Sequence, residues 1–477
     1  MNSKYLIQIN SALFVLYFLS APVFALEKPK TMDDMWKIIQ AQQQEIESMK
    51  VQMQGKNQPQ QLNEPVDDKP PSMAGDTSKV KTLERKTDVL SQEVEKLRTN
   101  LAIPEEAKYK SMYGLGPAAS KIYQVGKGLS IGGYGEANYQ AIVSDKGADD
   151  RNNADMERFV LYTGYKFTDD ILFNSEIEFE HATTGEGSEE KGEISVEFAA
   201  LDFFIDPMAN VRAGLILMPM GFINPIHEPP FFFGNNRPEV ERRIIPATWR
   251  ELGVGLFGQI TPELTYTTYL VNGMNAEGFN SGGIRDGRSS GSKAKAEDFG
   301  YVARMDYAPQ AVPGLSVGGS AYVGNSGQDE RFNGQKADVF TQLYEAHAQW
   351  KYRGFEWRAL GSWGFVDDAD ILSAAKEETI GSENYGWYTE VGYDIMPWLI
   401  TDTAQYLAPF FRFEKYDTLA SVPDGFADNR NLDREILQFG LQYKPIPNVV
   451  IKADYRNFSA KQGKVPDDFN LGFGFIF

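Results

Sequence analysis

"ILFNSEIEFEH" (residues 171–181) alternates with a period of two. Ile171, Phe173, Ser175, Ile177 and Phe179 occupy one parity, and Leu172, Asn174, Glu176, Glu178 and Glu180 occupy the other. Successive side chains of a β-strand point to opposite faces, so this period separates a greasy face from a charged one. A helix would mix the two sets. "FEWRALGSWGF" (355–365) repeats the pattern, with Phe355, Trp357, Ala359, Gly361 and Trp363 set against Glu356, Arg358, Leu360 and Ser362. The alternation recurs from about residue 128 onward and predicts an all-β domain over 128–477.

One-faced strands also build soluble sandwiches, so three further features decide between the architectures. The segments run about 10–14 residues, a length suited to tilted strands that cross a bilayer. Short turns such as "TDD", "TPEL" and "PIPN" trade places with longer polar loops. The sequence finishes on "FNLGFGFIF", with Leu471, Phe473, Phe475 and Phe477 on one face, resembling an outer-membrane assembly signal. Together they predict a transmembrane antiparallel β-barrel of about sixteen strands. These fall near 128–142, 155–167, 170–182, 193–206, 210–220, 249–260, 263–273, 297–308, 314–325, 337–353, 354–367, 383–396, 403–416, 432–445, 447–459 and 466–477. Only closure satisfies every backbone group in lipid, and a barrel of this size encloses water. The charged face then lines the lumen, while Trp249, Trp350, Trp387 and Trp398 suit interfacial girdles.

Composition agrees. The 477 residues include 31 Phe, 23 Tyr, 7 Trp and 44 Gly, and no Cys, so there is neither a disulfide frame nor a lipidated cysteine. "SALFVLYFLSAPVFA" ends in Val23-Phe24-Ala25, a pattern that fits signal-peptidase cleavage after Ala25 (signal peptide 1–25). Removing Lys4 with it leaves 46 Lys and Arg against 66 Asp and Glu, a net of −20. That balance argues against nucleic acid as a partner.

Residues 26–110 read as a periplasmic α-helical coiled-coil stalk. Met32, Ile39, Ile46 and Met53 keep a heptad with Met35, Gln42 and Met49, and Val80, Thr87, Val94 and Leu101 keep one with Leu83, Leu90 and Leu97. A Pro-rich polar spacer, 55–78, separates them, and 111–127 reads as a linker to the barrel.

"HEPPFFFGNNRPEVERR" (227–243) falls after the fifth strand, in the third outer loop, 221–248. Three phenylalanines would expose a large apolar patch in water, which predicts that the loop folds inward. Phe231, Phe232 and Phe233 are expected to anchor it on the inner wall. His227, Glu228, Arg237, Glu239, Glu241, Arg242 and Arg243 are expected to border the aperture, or to pair and pin the loop. Arg158, Arg212, Arg304, Arg358, Arg412 and Arg456, with Glu176, Glu178 and Glu180, are expected on the lumen wall. The Gly-, Ser- and Asp-rich loops 274–296 and 416–431 read as exposed.

"SEIEFEH", "GEISVEFA", "HEPPFFFGNNRPEVERRIIPATWRELGVG" and "LVNGMNAEGFNSGGIRDGR" resemble the proteobacterial outer-membrane porins related to the phosphate-selective O/P porins. The preceding stalk resembles the DcaP-like porins, trimers selective for small dicarboxylates. The resemblance implies a homotrimer in a Gram-negative outer membrane, with a third loop that narrows the lumen. Phosphate-selective members use an arginine ladder and a lysine cluster, whereas loop 221–248 has no lysine and Glu176, Glu178 and Glu180 share the wall. The leading expectation is therefore a passive, water-filled channel for small hydrophilic solutes, leaning to small organic or inorganic anions. A second reading is a structural tether, its stalk reaching peptidoglycan or a periplasmic partner. A third, a barrel hydrolase, is disfavoured: only His181, His227 and His347 are available, His227 is followed by Glu-Pro-Pro with no Ser nearby in sequence, and His347 alternates with Glu345 and Gln349 as an ordinary lumen residue. Their wide separation gives no metal-ligand spacing, and no cofactor is expected.

Overall fold

The computed structural model describes residues 110–477, apart from 146, 148–149 and 185–191, together with Lys86. The predicted signal peptide, and the stalk with its spacer apart from Lys86 and Lys110, lie outside the described residues.

The strands, in chain order, are β1 (Gly128–Ser144), β2 (Asn153–Lys166), β3 (Ile171–Glu180), β4 (Ile194–Asp206), β5 (Ala209–Leu217), β6 (Arg250–Thr261), β7 (Leu264–Asn272), β8 (Phe299–Tyr307) and β9 (Leu315–Asn325). They continue with β10 (Arg331–Phe332), β11 (Gln335–Lys336), β12 (Phe340–Tyr352), β13 (Phe355–Val366), β14 (Glu383–Tyr393), β15 (Tyr406–Ser421), β16 (Asp433–Ile446), β17 (Val449–Ala460) and β18 (Asp467–Ile476). Each long strand pairs antiparallel with its neighbours in sequence. β1 closes the ring onto β18, with Tyr134 opposite Ile476 and Ile142 opposite Asp468. β10 and β11 form a separate small ribbon between β9 and β12, so the closed barrel has sixteen strands.

Polarity is inverted relative to a water-soluble core. Phe439 is 52 % and Phe473 is 50 % exposed on the outside, whereas Gln438, Arg412 and Asn470 are 0 % exposed inside. The alternating residues of β3 divide as their parity dictates, with Leu172, Asn174, Glu176 and Glu178 buried inward. An apolar belt around a closed barrel exceeds any patch that a soluble monomer exposes and is the surface lipid covers. Among the described residues no helix is long and apolar enough to cross a membrane.

Three expectations need correction. β15 runs to Ser421 rather than stopping near 416, because Tyr416, Asp417, Thr418 and Leu419 are all buried and carry no alternation to read. Trp249 is not in a girdle: it is fully buried, its Nε1 donates to Glu251 at 3.1 Å, and its ring meets Tyr322 edge-on. Residues 111–127 are not a free linker either. Leu115, Ala118 and Ala119 pack against inward-facing Tyr134, Tyr162 and Phe198, and Ala119–Gln124 forms a 3-10 helix.

Candidate functional site: the lumen and its folded loops

Residues 218–249 leave β5 and return to β6, and Asn224 closes the neck between the two ends. Its side chain donates to the carbonyls of Met218 (2.6 Å) and Trp249 (2.9 Å) and accepts from Trp249 N (2.6 Å). Between those ends the chain touches inward-facing residues from opposite sides of the barrel, so it lies within the lumen. Pro229 and Pro230 set a 3-10 turn by fixing φ. Phe232 is buried with Ile223 and Ala247, and the Lys452 ammonium lies 3.7 Å from its ring centre. Phe233 stacks on Phe410 of β15 at 5.1 Å. Phe231 is half-buried, its carbonyl accepting from Arg358 at 2.5 Å. The wall is cut back to receive this loop: a Cβ at Gly392 would fall on the Phe233 ring, and one at Gly474 on Pro229.

The charged residues of the loop divide between two tasks. Glu228 is fully buried and accepts from the backbone N–H groups of Ala118 (2.9 Å) and Ala119 (3.2 Å), so it holds the 111–127 segment rather than bordering an aperture. Glu241 is likewise buried, accepting from Phe222 N, Ile223 N and the Tyr388 hydroxyl. His227 is buried against Glu176, 3.0 Å from its carboxylate. Glu239–Arg243 is one helical turn, acidic at its start and basic at its end, as the backbone dipole favours. Within it Arg242 and Arg243 both reach Glu239, at 2.8 and 3.3 Å, and Arg456 approaches the same carboxylate at 3.5 Å. Burial pushes the Glu239 carboxyl up, but Arg242, Arg456 and Arg243 outweigh it and hold it at about 2. Arg237 differs: its Nε and one terminal nitrogen are buried without a hydrogen-bond partner.

The six wall arginines all point inward and all have carboxylate partners. Arg158 bridges Glu136, Glu157 and Glu178; Arg212 holds Asp202 at 2.7 Å and Arg304 holds Asp306 at 2.7 Å. Arg358 and Arg412 share Glu390, and Arg456 holds Asp468 at 2.6 Å. Glu180 is half-buried opposite Arg158 on β2. Beneath the loop, at the tight-turn end of the barrel, lies a cavity of about 870 Å³ whose lining includes Arg212, Phe222, Arg304, His347 and Arg358.

Sequence reading missed a second folded loop. Residues 274–296 are not a free surface loop, since Met274, Ala276, Phe279 and Ile284 are buried with Val240 and Ile244 of the first loop. Their spacing among glycines was the available signal. This packing carries Arg285 and Arg288 to the Ala247 carbonyl, which accepts from both. Among the described residues neither has a carboxylate within ion-pair distance, and neither has Arg237. The Arg285 guanidinium is pushed down to about 9, by burial first and then by Arg288, Arg242 and Arg237. A further pair, Glu197 with Arg250, also escaped the sequence reading.

A closed barrel, apolar outside and charged inside, with a loop folded into its lumen, defines a transmembrane β-barrel of the porin type. An uncharacterized protein of Aquifex aeolicus (strain VF5) is 38% identical over 394 residues, spanning 80% of this chain and 87% of the relative. This chain belongs to the family of that Aquifex protein. No family model matches it. Among solved structures it is similar to OmpF of Salmonella typhi in complex with daunomycin, with 14% identity, 74% of this chain and 98% of that one covered, and a TM-score of 0.49. It is also similar to the outer membrane channel DcaP of Acinetobacter baumannii, with 15% identity, 73% and 97% coverage and a TM-score of 0.47.

Proposed function

We propose that this protein is an outer-membrane channel for passive diffusion of small hydrophilic solutes, with a preference for small anions. In this reading the long-loop end faces outward and residues 218–249 form the constriction. The observation that carries the preference is the group of Arg237, Arg285 and Arg288 on the two inward-folded loops, which lack carboxylate partners among the described residues while the wall arginines have theirs. Guanidinium forks offer paired donors to carboxylate or phosphate oxygens, giving brief binding on the way through. Binding stays weak because a tight site would block flux.

The test is the reversal potential of the full chain in a planar bilayer under a salt gradient. Anion preference is expected, and Arg285→Glu combined with Arg288→Glu should move it toward cations. Clear cation preference in the unsubstituted protein would overturn the reading.

A further inference from the structure

Three elements converge where loop 218–249 meets the inner wall beside β3 and β4. Glu176 comes from β3, Glu197 from β4 and His227 from the loop, and they are 0 %, 1 % and 2 % exposed. One imidazole nitrogen and one oxygen from each carboxylate lie within 4.8 Å of one another.

Two independent observations point to a cation among them. The first is the tautomer of His227. Its Nδ1 lies 3.2 Å from the carbonyl oxygen of Asn224, which can only accept, so Nδ1 carries a proton and donates. In a neutral ring Nε2 then presents a lone pair, 3.0 Å from the Glu176 carboxylate, which also only accepts when ionised. Two acceptors face each other there, and either a second ring proton or a metal cation between them resolves the repulsion, so the contact is one that a metal ion can replace. The second is the set of unused atoms. Glu176 Oε2, Glu197 Oε2 and the Tyr134 hydroxyl are buried without a hydrogen-bond partner among the described residues. Arg250 engages Glu197 only through its other oxygen, Oε1. Buried carboxylate oxygens left unpaired are costly, and native interiors reserve them for ions or ordered water.

We propose that Glu176, Glu197 and His227 form a binding site for one divalent transition-metal ion of the zinc class. One imidazole nitrogen with two carboxylate oxygens, in a chain that has no cysteine thiolate to offer, is a donor set that zinc accepts with a fourth position left open. The Nδ1–H bond to a backbone carbonyl is the outer contact that metal-binding histidines use to fix the ring. Because the ligands come from two strands and the loop, the ion pins the loop to the wall.

The test uses the full chain without a polyhistidine tag, folded in detergent micelles, stripped with chelator and titrated with Zn²⁺ against a chromophoric competitor. One equivalent per chain is expected, with an absorption-edge spectrum of nitrogen and oxygen neighbours including one imidazole. Glu197→Gln and His227→Gln should weaken binding by at least about 10–100-fold, the loss that even outer-shell changes produce. Glu176→Asp, which keeps the carboxylate, should weaken it less, and His181→Gln, at an exposed position, should leave it unchanged. Heat-modifiable migration and the β-sheet dichroism signal identify the variants that have folded. Absence of stoichiometric binding by the folded unsubstituted protein would overturn the proposal and leave an imidazolium–carboxylate pair. So would equal affinity in folded Glu197→Gln.

Discussion

Glu241 offers the sharpest test of the docked loop, because one buried carboxylate carries three contacts that join different parts of the chain. Its Oε2 accepts from Phe222 N at 2.8 Å and Ile223 N at 2.7 Å, and its Oε1 accepts from the Tyr388 hydroxyl of β14 at 2.6 Å. Hydrogen bonds to a charged group contribute about 1.5–3 kcal/mol each, but the three share one group and are not additive. Glu241→Ala also leaves three donors, which water can re-solvate in an open lumen. A net loss on the order of 4 kcal/mol from loop docking follows. At tenfold per 1.4 kcal/mol, the undocked population rises roughly a thousandfold. Tyr388→Phe removes one donor and leaves the backbone pair, so it should cost less, about 1.5 kcal/mol. Single-channel recording should show larger and noisier openings in Glu241→Ala, slight change in Tyr388→Phe, and faster exchange of the Phe222 and Ile223 amides. If a folded Glu241→Ala barrel matches the parent in conductance, noise and amide protection, the carboxylate does not hold the loop.

Gly392→Ala places a methyl group on the Phe233 ring, and overpacking of this kind costs about 1–3 kcal/mol; a lowered heat-modification midpoint checks it. Phe439→Arg puts a cation on the exterior belt and should cost about 2–4 kcal/mol in folding into lipid vesicles if that residue lies near mid-membrane, whereas detergent-folded protein should tolerate it better. Glu239, held at about 2, contributes stability that is complete above the ordinary carboxylate range. That contribution erodes only as pH falls from there toward about 2. The part of loop docking that depends on Glu239 should therefore be constant above about pH 5 and weaken below it, so the difference in loop opening between the parent and Glu239→Gln should shrink as pH falls through that range.

The barrel was legible because lipid outside and water inside impose the same alternation on every long strand. Each strand carries that signal in its own residues, as Phe439 and Gln438 do on β16. The strand ends were less legible where folded loops cover both faces, as at Tyr416–Leu419. Phe232 and Phe233 stood out because aromatic side chains in a nominal outer loop need a surface to cover. The tasks of the loop carboxylates were not legible, because their partners are remote in sequence. Glu228 binds Ala118 and Ala119, 110 and 109 positions away, and Glu241 binds Tyr388, 147 positions away. Arg285 and Arg288 were missed for the opposite reason: glycine-rich flanks looked solvent-exposed, and Met274, Ala276, Phe279 and Ile284 are too irregularly spaced among them to set a period.

The seam between β1 and β18 has a consequence for assembly order. Tyr134 meets Ile476, so the ring acquires its final partner only when its two most distant strands come together. Until then β1 and β18 each present a row of unsatisfied backbone groups, ready templates for another chain. The segment 111–127 lies inside, bound to Glu228 and to Asn174, which donates to Ala119 O at 2.9 Å. It can serve as an internal form around which the sheet curls, so that interior residues are seated before the edges are lost. A chain lacking β18 would keep the mould and lose the clasp, and its fate would be pairing with neighbours rather than closure.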